Sequence, residues 1–185
     1  MGSIGSLDGS GPSVHPDAWV APGAVVVGRV TLGRAVSVWY GSVLRADDDE
    51  IMVAPECNIQ DLCCLHVDEG EPVLLEERVS VGHHATVHGA RIDAGALIGI
   101  GAVILGRARV GAGSLVAAGT VIRPGTLVPA GVLFAGVPGR VVRELTDSDR
   151  DSFATSATRY VARAARHRGA AWSAPASGDD PPGRG

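Results

Sequence analysis

Four of the six histidines of this chain lie in two neighbouring stretches. His66 lies in the first stretch, and His83, His84 and His88 lie in the second. Histidine is the commonest metal ligand in proteins and also exchanges protons near neutral pH. The cluster could therefore bind a metal ion or carry out acid–base catalysis. The structural elements that hold these side chains decide between the two.

Aliphatic residues recur at every sixth position along most of the chain. Segments 46–52 and 68–73 interrupt the pattern, and the interval between Val87 and Ile92 shortens to five residues. Fixed short repeats predict a β-solenoid, here of about six coils with three repeats each. Strand alternation turns the periodic residue inward and the residue after it outward. The periodic residues are Val20, Val26, Leu32, Val38, Leu44, Val53, Ile59, Leu65, Leu75, Val81, Val87, Ile92, Ile98, Ile104, Val110, Val116, Ile122, Val128 and Phe134.

The composition divides the chain into four segments. Residues 1–13 are rich in Gly, Ser and Pro and are expected to be disordered. Gly2 also fits a myristoylation pattern. Residues 14–145 form the predicted all-β solenoid. Residues 146–168 are predicted to form one α-helix that starts at Thr146 and packs on the solenoid through Phe153, Ala157, Tyr160, Val161 and Ala164. Residues 169–185 are expected to be a disordered tail.

Charge and composition exclude several classes of function. All 16 basic residues are Arg and the net charge is −4, which argues against nucleic-acid binding, Schiff-base lysines and P-loops. No stretch reaches the roughly 18 apolar residues of a membrane helix. The three cysteines, Cys57, Cys63 and Cys64, do not suggest a secreted disulfide framework. We therefore expect a cytoplasmic protein without a membrane span.

The six-residue period gives each histidine a position on the solenoid. We number the three faces so that Val20 lies on face one, Val26 on face two and Leu32 on face three. We assume that the breaks only lengthen corners. Arg45, His66 and His88 then share one outward column on face two. Neighbouring strands lie about 4.8 Å apart. Two imidazoles in such a column can bind one ion through bonds of about 2.0–2.1 Å.

His83 does not belong to this column. It lies near a corner of face one, so within its own chain we expect it to point away from His66 and His88. A cyclic trimer that packs face one of one chain on face two of the next would bring it to the pair, with Gln60 and Asp61 at the same interface. Three histidines with an open fourth position are typical of catalytic zinc. His84 competes for this role but should point the opposite way, and separate surface histidines are the alternative interpretation.

Five short stretches resemble the γ-class carbonic anhydrases, in the order that the family shows them. They are residues 39–47 (WYGSVLRAD), 58–61 (NIQD), 65–68 (LHVD), 81–83 (VGH) and 87–89 (VHG). The resemblance implies a left-handed parallel β-helix, a homotrimer, and hydration of carbon dioxide to bicarbonate. It implies that the metal, Zn²⁺ or else Fe²⁺ or Co²⁺, is bound by His66, His83 and His88.

The resemblance also implies roles for residues around the metal. Arg45 and Asp47 would form salt bridges across the trimer interface. Gln60 would orient a metal-bound hydroxide, with support from Asn58 and Asp61. Tyr160 resembles a helix tyrosine that some members place near the site, and packing of the helix explains it equally well.

Two other functions stay open. Residues 133–142 (LFAGVPGRVV) resemble a coil ending that hexapeptide-repeat acyltransferases share with the γ class, so an acyltransferase is one alternative. A non-catalytic trimeric scaffold that keeps its metal is the other. The loop after His66 is short where the best-studied branch of the family carries an acidic insertion. Either Glu69 or Glu71 could replace that insertion as a proton shuttle, although solvated loop acids explain them as well. Cys64, which points outward near His66, is a further candidate ligand.

Overall fold

The computed structural model of the chain describes residues 2–170, apart from the side chain of Ala154. Its helices are α1 (Asp147–Ala154) and α2 (Ser156–Arg168). Its strands, in chain order, are β1 (Ser3–Gly5), β2 (Ser13–Val14), β3 (Trp19–Val20), β4 (Val25–Leu32), β5 (Ser37–Val38), β6 (Val43–Val53), β7 (Asn58–Ile59), β8 (Cys64–His66), β9 (Val73–Leu75), β10 (Ser80–Val81), β11 (Thr86–His88), β12 (Arg91–Ile92), β13 (Leu97–Ile98), β14 (Val103–Ile104), β15 (Arg109–Val110), β16 (Leu115–Val116), β17 (Val121–Ile122), β18 (Leu127–Val128), β19 (Val132–Gly136) and β20 (Gly139–Glu144).

The strands form a parallel β-solenoid with three faces. Face one contains β3, β5, β7, β10, β13, β16 and β19. The other two faces belong to one sheet, because β4 and β6 continue around the corner between them. Face two contains β1, β8, β11, β14 and β17, and face three contains β2, β9, β12, β15 and β18. The pairs are parallel except for β19 with β20, and the solenoid has about seven coils.

The register confirms the predicted phase across both breaks. On face one, Val38 pairs with Ile59 and Ile59 with Val81. On face two, Leu44 pairs with Leu65 and Leu65 with Val87. Segment 46–52 belongs to β6, and segment 68–71 closes a tight turn through a bridge between Asp68 and Glu71. Both insertions therefore lie at a corner and leave the stacking of the faces intact.

The core is one column of periodic side chains on each face. Leu65 and Ile98 are fully buried, and even Val20 in the first coils is only 8% exposed. Cys57 and Cys63 also point inward, as expected, whereas Cys64 is exposed. Burial raises the pKa of both inward thiols to about 12, so they stay protonated and unreactive.

The N-terminus differs from the expectation of disorder over residues 1–13. Ser3–Gly5 pairs with the start of β4, and Ser13–Val14 pairs with its end. These strands add the coil that the prediction of about six coils missed. Val14 stands six residues before Val20 and already belongs to the period. A coil needs only one aliphatic residue per face, so a composition rich in Gly and Ser did not exclude one.

The C-terminal segment forms two helices where one was predicted. Thr146 caps α1 through a hydrogen bond from the backbone N–H of Asp149, and the Asp149 side chain accepts one from the Thr146 N–H in return. The helix breaks at Thr155, and α2 buries Ala157, Tyr160 and Ala164. The predicted tail falls outside the described residues from 171 onward. Neither helix within residues 2–170 is long and apolar enough to cross a membrane.

The solenoid core predicts a large effect of a cavity at Ile98. The substitution Ile98→Ala should lower the free energy of unfolding by about 2–5 kcal/mol, because it removes fully buried methyl groups. Leu127→Ala is the matched control, since Leu127 is 75% exposed on face three. It should change stability by less than about 0.5 kcal/mol. Urea denaturation at fixed protein concentration measures both, and equal losses would contradict the core assignment.

Candidate metal centre

His66 and His88 face each other on the outer surface of face two. The pairing of β6 with β8 and of β8 with β11 puts Arg45, His66 and His88 in one column, as the period predicted. The Nδ1 atom of His66 lies 3.1 Å from Nε2 of His88, and the ring centroids are 5.0 Å apart. Both side chains are partly exposed, at 15% for His66 and 29% for His88. The pair is therefore open to the outside of the chain.

Asp47 fixes the orientation of His66. Its Oδ1 atom lies 3.0 Å from Nε2 of His66, and its other oxygen accepts a hydrogen bond from Arg45 of the same chain. Burial raises the pKa of Asp47, but hydrogen bonds from its own backbone, Arg45 and His66 outweigh this effect, so the pKa lies below its ordinary value. An ionised carboxylate only accepts, so Nε2 of His66 carries a proton and Nδ1 presents a lone pair.

The geometry of the pair fits a single divalent ion. Two tetrahedral ligands at about 2.0–2.1 Å from a metal lie about 3.3–3.4 Å from each other. The observed separation of 3.1 Å is that of a hydrogen bond between the two nitrogens, and it is also close to this distance. Asp68 adds a carboxylate oxygen 3.6 Å from Nε2 of His88, and the ligand atoms of the three residues lie within 4.8 Å of one another. Imidazole nitrogens with a carboxylate suit zinc, iron and cobalt.

His83 lies on face one, away from this pair. It follows β10, and its Nδ1 atom lies 2.8 Å from Oδ2 of Asp61, which follows β7 in the preceding coil. The carboxylate holds the Nδ1 proton and leaves Nε2 as the nitrogen with a lone pair. Within the described residues, the groups that could hold a metal do not include His83. The predicted division of the histidines between two faces is thus what the structure shows.

His84 is oriented differently from His83. Its backbone lies in the left-handed region with a φ of 59°, at the coil corner. Its N–H donates to the carbonyl of Asp61, and its side chain is exposed. The potential metal groups of the described residues do not include His84 either.

Gln60 and Asn58 form a buried amide pair on face one. Gln60 is 7% exposed and Asn58 is fully buried. Nε2 of Gln60 donates to Oδ1 of Asn58 at 3.0 Å. The amide nitrogen of Gln60 is therefore turned toward Asn58, which leaves its oxygen as the atom that can accept a further hydrogen bond.

The chain is similar to known proteins in sequence and in structure. No family model matches the chain. It is 52% identical to a probable carbonic anhydrase of Methanocaldococcus jannaschii, over 77% of this chain and 89% of that protein. The chain belongs to the γ-class carbonic anhydrase family. It is also 38% identical to γ carbonic anhydrase 1 of Arabidopsis thaliana mitochondria, over 84% of this chain and 59% of that one. A crystal structure of a putative acetyltransferase from Bacillus cereus superimposes with a TM-score of 0.89 at 32% identity, covering 90% and 96% of the two chains.

Two other candidate residues from the sequence analysis, Tyr160 and Glu71, have structural contacts. The ring of Tyr160 packs edge-on against Trp39 with centroids 5.2 Å apart, and Arg163 lies 5.0 Å above it. Burial raises the pKa of Tyr160. Glu71 lies 3.2 Å from Nε of Arg107 and packs against Gly106. Tyr160 therefore joins α2 to the solenoid, and Glu71 braces a corner.

Asp68 belongs to the histidine cluster, although we did not predict it as a site residue of this γ-class member. It follows His66 by two residues, and Val67 between them is fully buried. Strand alternation alone therefore turns Asp68 to the same side as His66. The sequence does not show that the carboxylate of Asp68 extends toward His88 in the next coil.

The ligand set expected from the family resemblance, His66, His83 and His88, predicts which substitutions remove the metal. His66→Ala, His88→Ala and His83→Ala should each reduce bound metal from about one ion per chain to near zero, because a site with three protein ligands loses one of them. His84→Ala is the matched control and should retain the metal. Elemental analysis of anaerobically purified protein measures the content. Retention by His83→Ala together with loss by His84→Ala would contradict the assignment.

Proposed function

We propose that this chain is a metal-dependent carbonic anhydrase that acts as a homotrimer. The observation that carries the proposal is the division of the ligands between two surfaces. Face two presents His66 and His88, oriented by Asp47, and face one presents His83, oriented by Asp61. Neither surface alone offers three histidines, but contact between two copies would complete the set.

A closed ring is the assembly that uses both surfaces of each copy, and the family resemblance selects a ring of three. In a ring, face two of each subunit contacts face one of the next, and the ring closes without an unused surface. The outward residues of face two beside the histidine column include Val43, Val103 and Val121, which are only half-buried within the chain. Contact with another copy would remove these apolar side chains from water.

The carbonic anhydrase chemistry uses the metal together with residues of the chain. A divalent metal held by these histidines would supply ionisation of water near neutral pH, because it lowers the pKa of bound water to about 7. Zinc is our first choice, and iron or cobalt fits the same donors. Asp47 and Asp61 hold the protons of the far nitrogens of His66 and His83, so the near nitrogens stay available as ligands. The oxygen of Gln60 accepts a hydrogen bond from the attacking oxygen and orients it toward carbon dioxide.

The cysteines support an intracellular setting for the proposed enzyme. Cys57, Cys63 and Cys64 are free thiols. Free thiols in the absence of a disulfide framework are usual in reducing compartments. We therefore keep the cytoplasm as the proposed compartment.

An acyltransferase is the second candidate, because the superimposed Bacillus cereus structure is that of a putative acetyltransferase. Such an enzyme needs one catalytic histidine and an acyl donor, but no set of three metal ligands. That chemistry does not require the second histidine of the pair formed by His66 and His88. Saturable binding of acetyl-CoA by metal-free protein would favour this candidate.

The carbonic anhydrase proposal predicts hydratase activity that depends on metal and on Gln60. Metal-loaded protein should accelerate carbon dioxide hydration in a stopped-flow assay, and a chelator should abolish the activity. Gln60→Ala should lower kcat by roughly 10–100-fold at unchanged metal content, because Gln60 acts beside the metal rather than on it.

Inactivity of the trimer with full metal content would contradict the proposal. The test covers zinc, iron and cobalt and extends to high pH. That result would support a metal-binding scaffold instead.

A further inference from the structure

A chain of buried polar side chains connects Gln60 to helix α2. Nε2 of Gln60 donates to Oδ1 of Asn58 at 3.0 Å, and Nδ2 of Asn58 donates to Oγ of Ser80 at 2.8 Å. The Ser80 hydroxyl donates to Oγ of Ser156, the first residue of α2, at 3.1 Å. The four residues are at most 7% exposed. Asn58 and Gln60 are also the only Asn and the only Gln in the chain.

The three hydrogen bonds from Gln60 to Ser156 all point the same way, since each residue donates to the next. The Ser80 hydroxyl has one proton, which it donates to Ser156, so toward Asn58 its oxygen acts as an acceptor. Asn58 then turns its nitrogen to Ser80 and its oxygen to Gln60. Gln60 in turn donates through its nitrogen to Asn58, which leaves its oxygen to accept a further hydrogen bond. The direction set at the helix is thus transmitted to the atom that Gln60 presents.

Ser156 is the residue that selects this direction. Without its oxygen, the Ser80 hydroxyl could rotate and donate to Asn58 instead. The Asn58 amide would then turn over, with its oxygen toward Ser80 and its nitrogen toward Gln60. The Gln60 amide would have to turn over as well, because two amide nitrogens are both donors and cannot form a hydrogen bond with each other. It would then present an NH₂ donor where the oxygen acceptor had been.

We propose that Ser156 is a positioning residue that acts through Ser80 and Asn58 to keep the amide oxygen of Gln60 directed at the site. The catalytic part of this inference rests on the proposed function, because it requires Gln60 to act on the reacting oxygen. The structural part, the direction of the amides, does not depend on the reaction. Helix α2 therefore has a role at the site beyond covering face one.

The direction of the amides can be measured without any activity. Because the chain has one Asn and one Gln, a ¹H–¹⁵N spectrum contains only two side-chain carboxamide NH₂ pairs. In the wild-type protein, we expect slow hydrogen exchange for both pairs. Ser156→Ala should speed exchange of the Gln60 pair by about tenfold or more, since its nitrogen would face the open site, while the Asn58 pair stays protected. Unchanged exchange of the Gln60 pair in a folded Ser156→Ala protein would overturn the inference.

Ser152→Ala is the matched control for this measurement. Ser152 lies on α1 and donates its hydroxyl to the carbonyl of Asp149, with no connection to Gln60. It should leave both NH₂ pairs unchanged. If Ser156→Ala does not fold, Ser156→Thr and Ser156→Val provide the comparison, because they have the same shape and only Thr retains the hydroxyl. Equal exchange of the Gln60 pair in these two proteins would also overturn the inference.

Kinetics test the catalytic part. Ser156→Ala should lower kcat by roughly tenfold with unchanged metal content. In a Gln60→Ala background it should have no further effect, which a merely structural loss would not reproduce. Additive losses in the double variant would reject the role of Ser156. Absence of activity in the wild-type protein would instead reject the proposed function, and the exchange experiment would still decide the direction of the amides.

Discussion

Parallel strands about 4.8 Å apart fix the separation of outward residues in neighbouring coils, and the rest of the molecule depends on this spacing. It brings His66 beside His88 although 22 positions separate them in the sequence. It likewise stacks Asp61 before His83 and Asn58 before Ser80. The insertions at the corners do not change these distances, because they leave the register of each face unchanged.

This spacing also explains why the histidines do not meet within one chain. A side chain on face one cannot reach the outside of face two, because the corner and the filled core lie between them. Each half of the proposed site has its own carboxylate, Asp47 on one face and Asp61 on the other. Both halves are therefore oriented before any assembly, so association would need to order few side chains. The amide pair on face one, which helix α2 holds in place, adds an acceptor oxygen. The direction of this oxygen is also set before any assembly.

The period alone predicted the faces, the phase across segments 46–52 and 68–73, and the column of Arg45, His66 and His88. It succeeded because a slip of one residue would turn every buried aliphatic residue outward. It did not predict the first coil, since Val14 and Ile4 stand among Gly and Ser residues that suggested disorder. The break at Thr155 was missed because the apolar face continues through it. The period also carries no information on the hand of the coil, which entered through the family resemblance.

The contacts of the acids were not predictable from the same pattern. Strand alternation places Asp47, Asp68 and Asp61 near their histidines but does not choose their rotamers. The pairing of Asp47 with both Arg45 and His66 is a result of the folded geometry. The link from Gln60 to Ser156 joins residues 96 positions apart through a helix that no repeat relates to the solenoid.

The most direct test of a site shared between copies is a trimer formed from two defective chains. His83→Ala keeps an intact face two, and His88→Ala keeps an intact face one. Random mixing by co-expression should restore about a quarter of the wild-type metal content and hydratase activity, because one interface in four combines the two intact faces. Mixing His66→Ala with His88→Ala, both defective on face two, should restore nothing. Failure of the first mixture to exceed its parents would contradict the shared site.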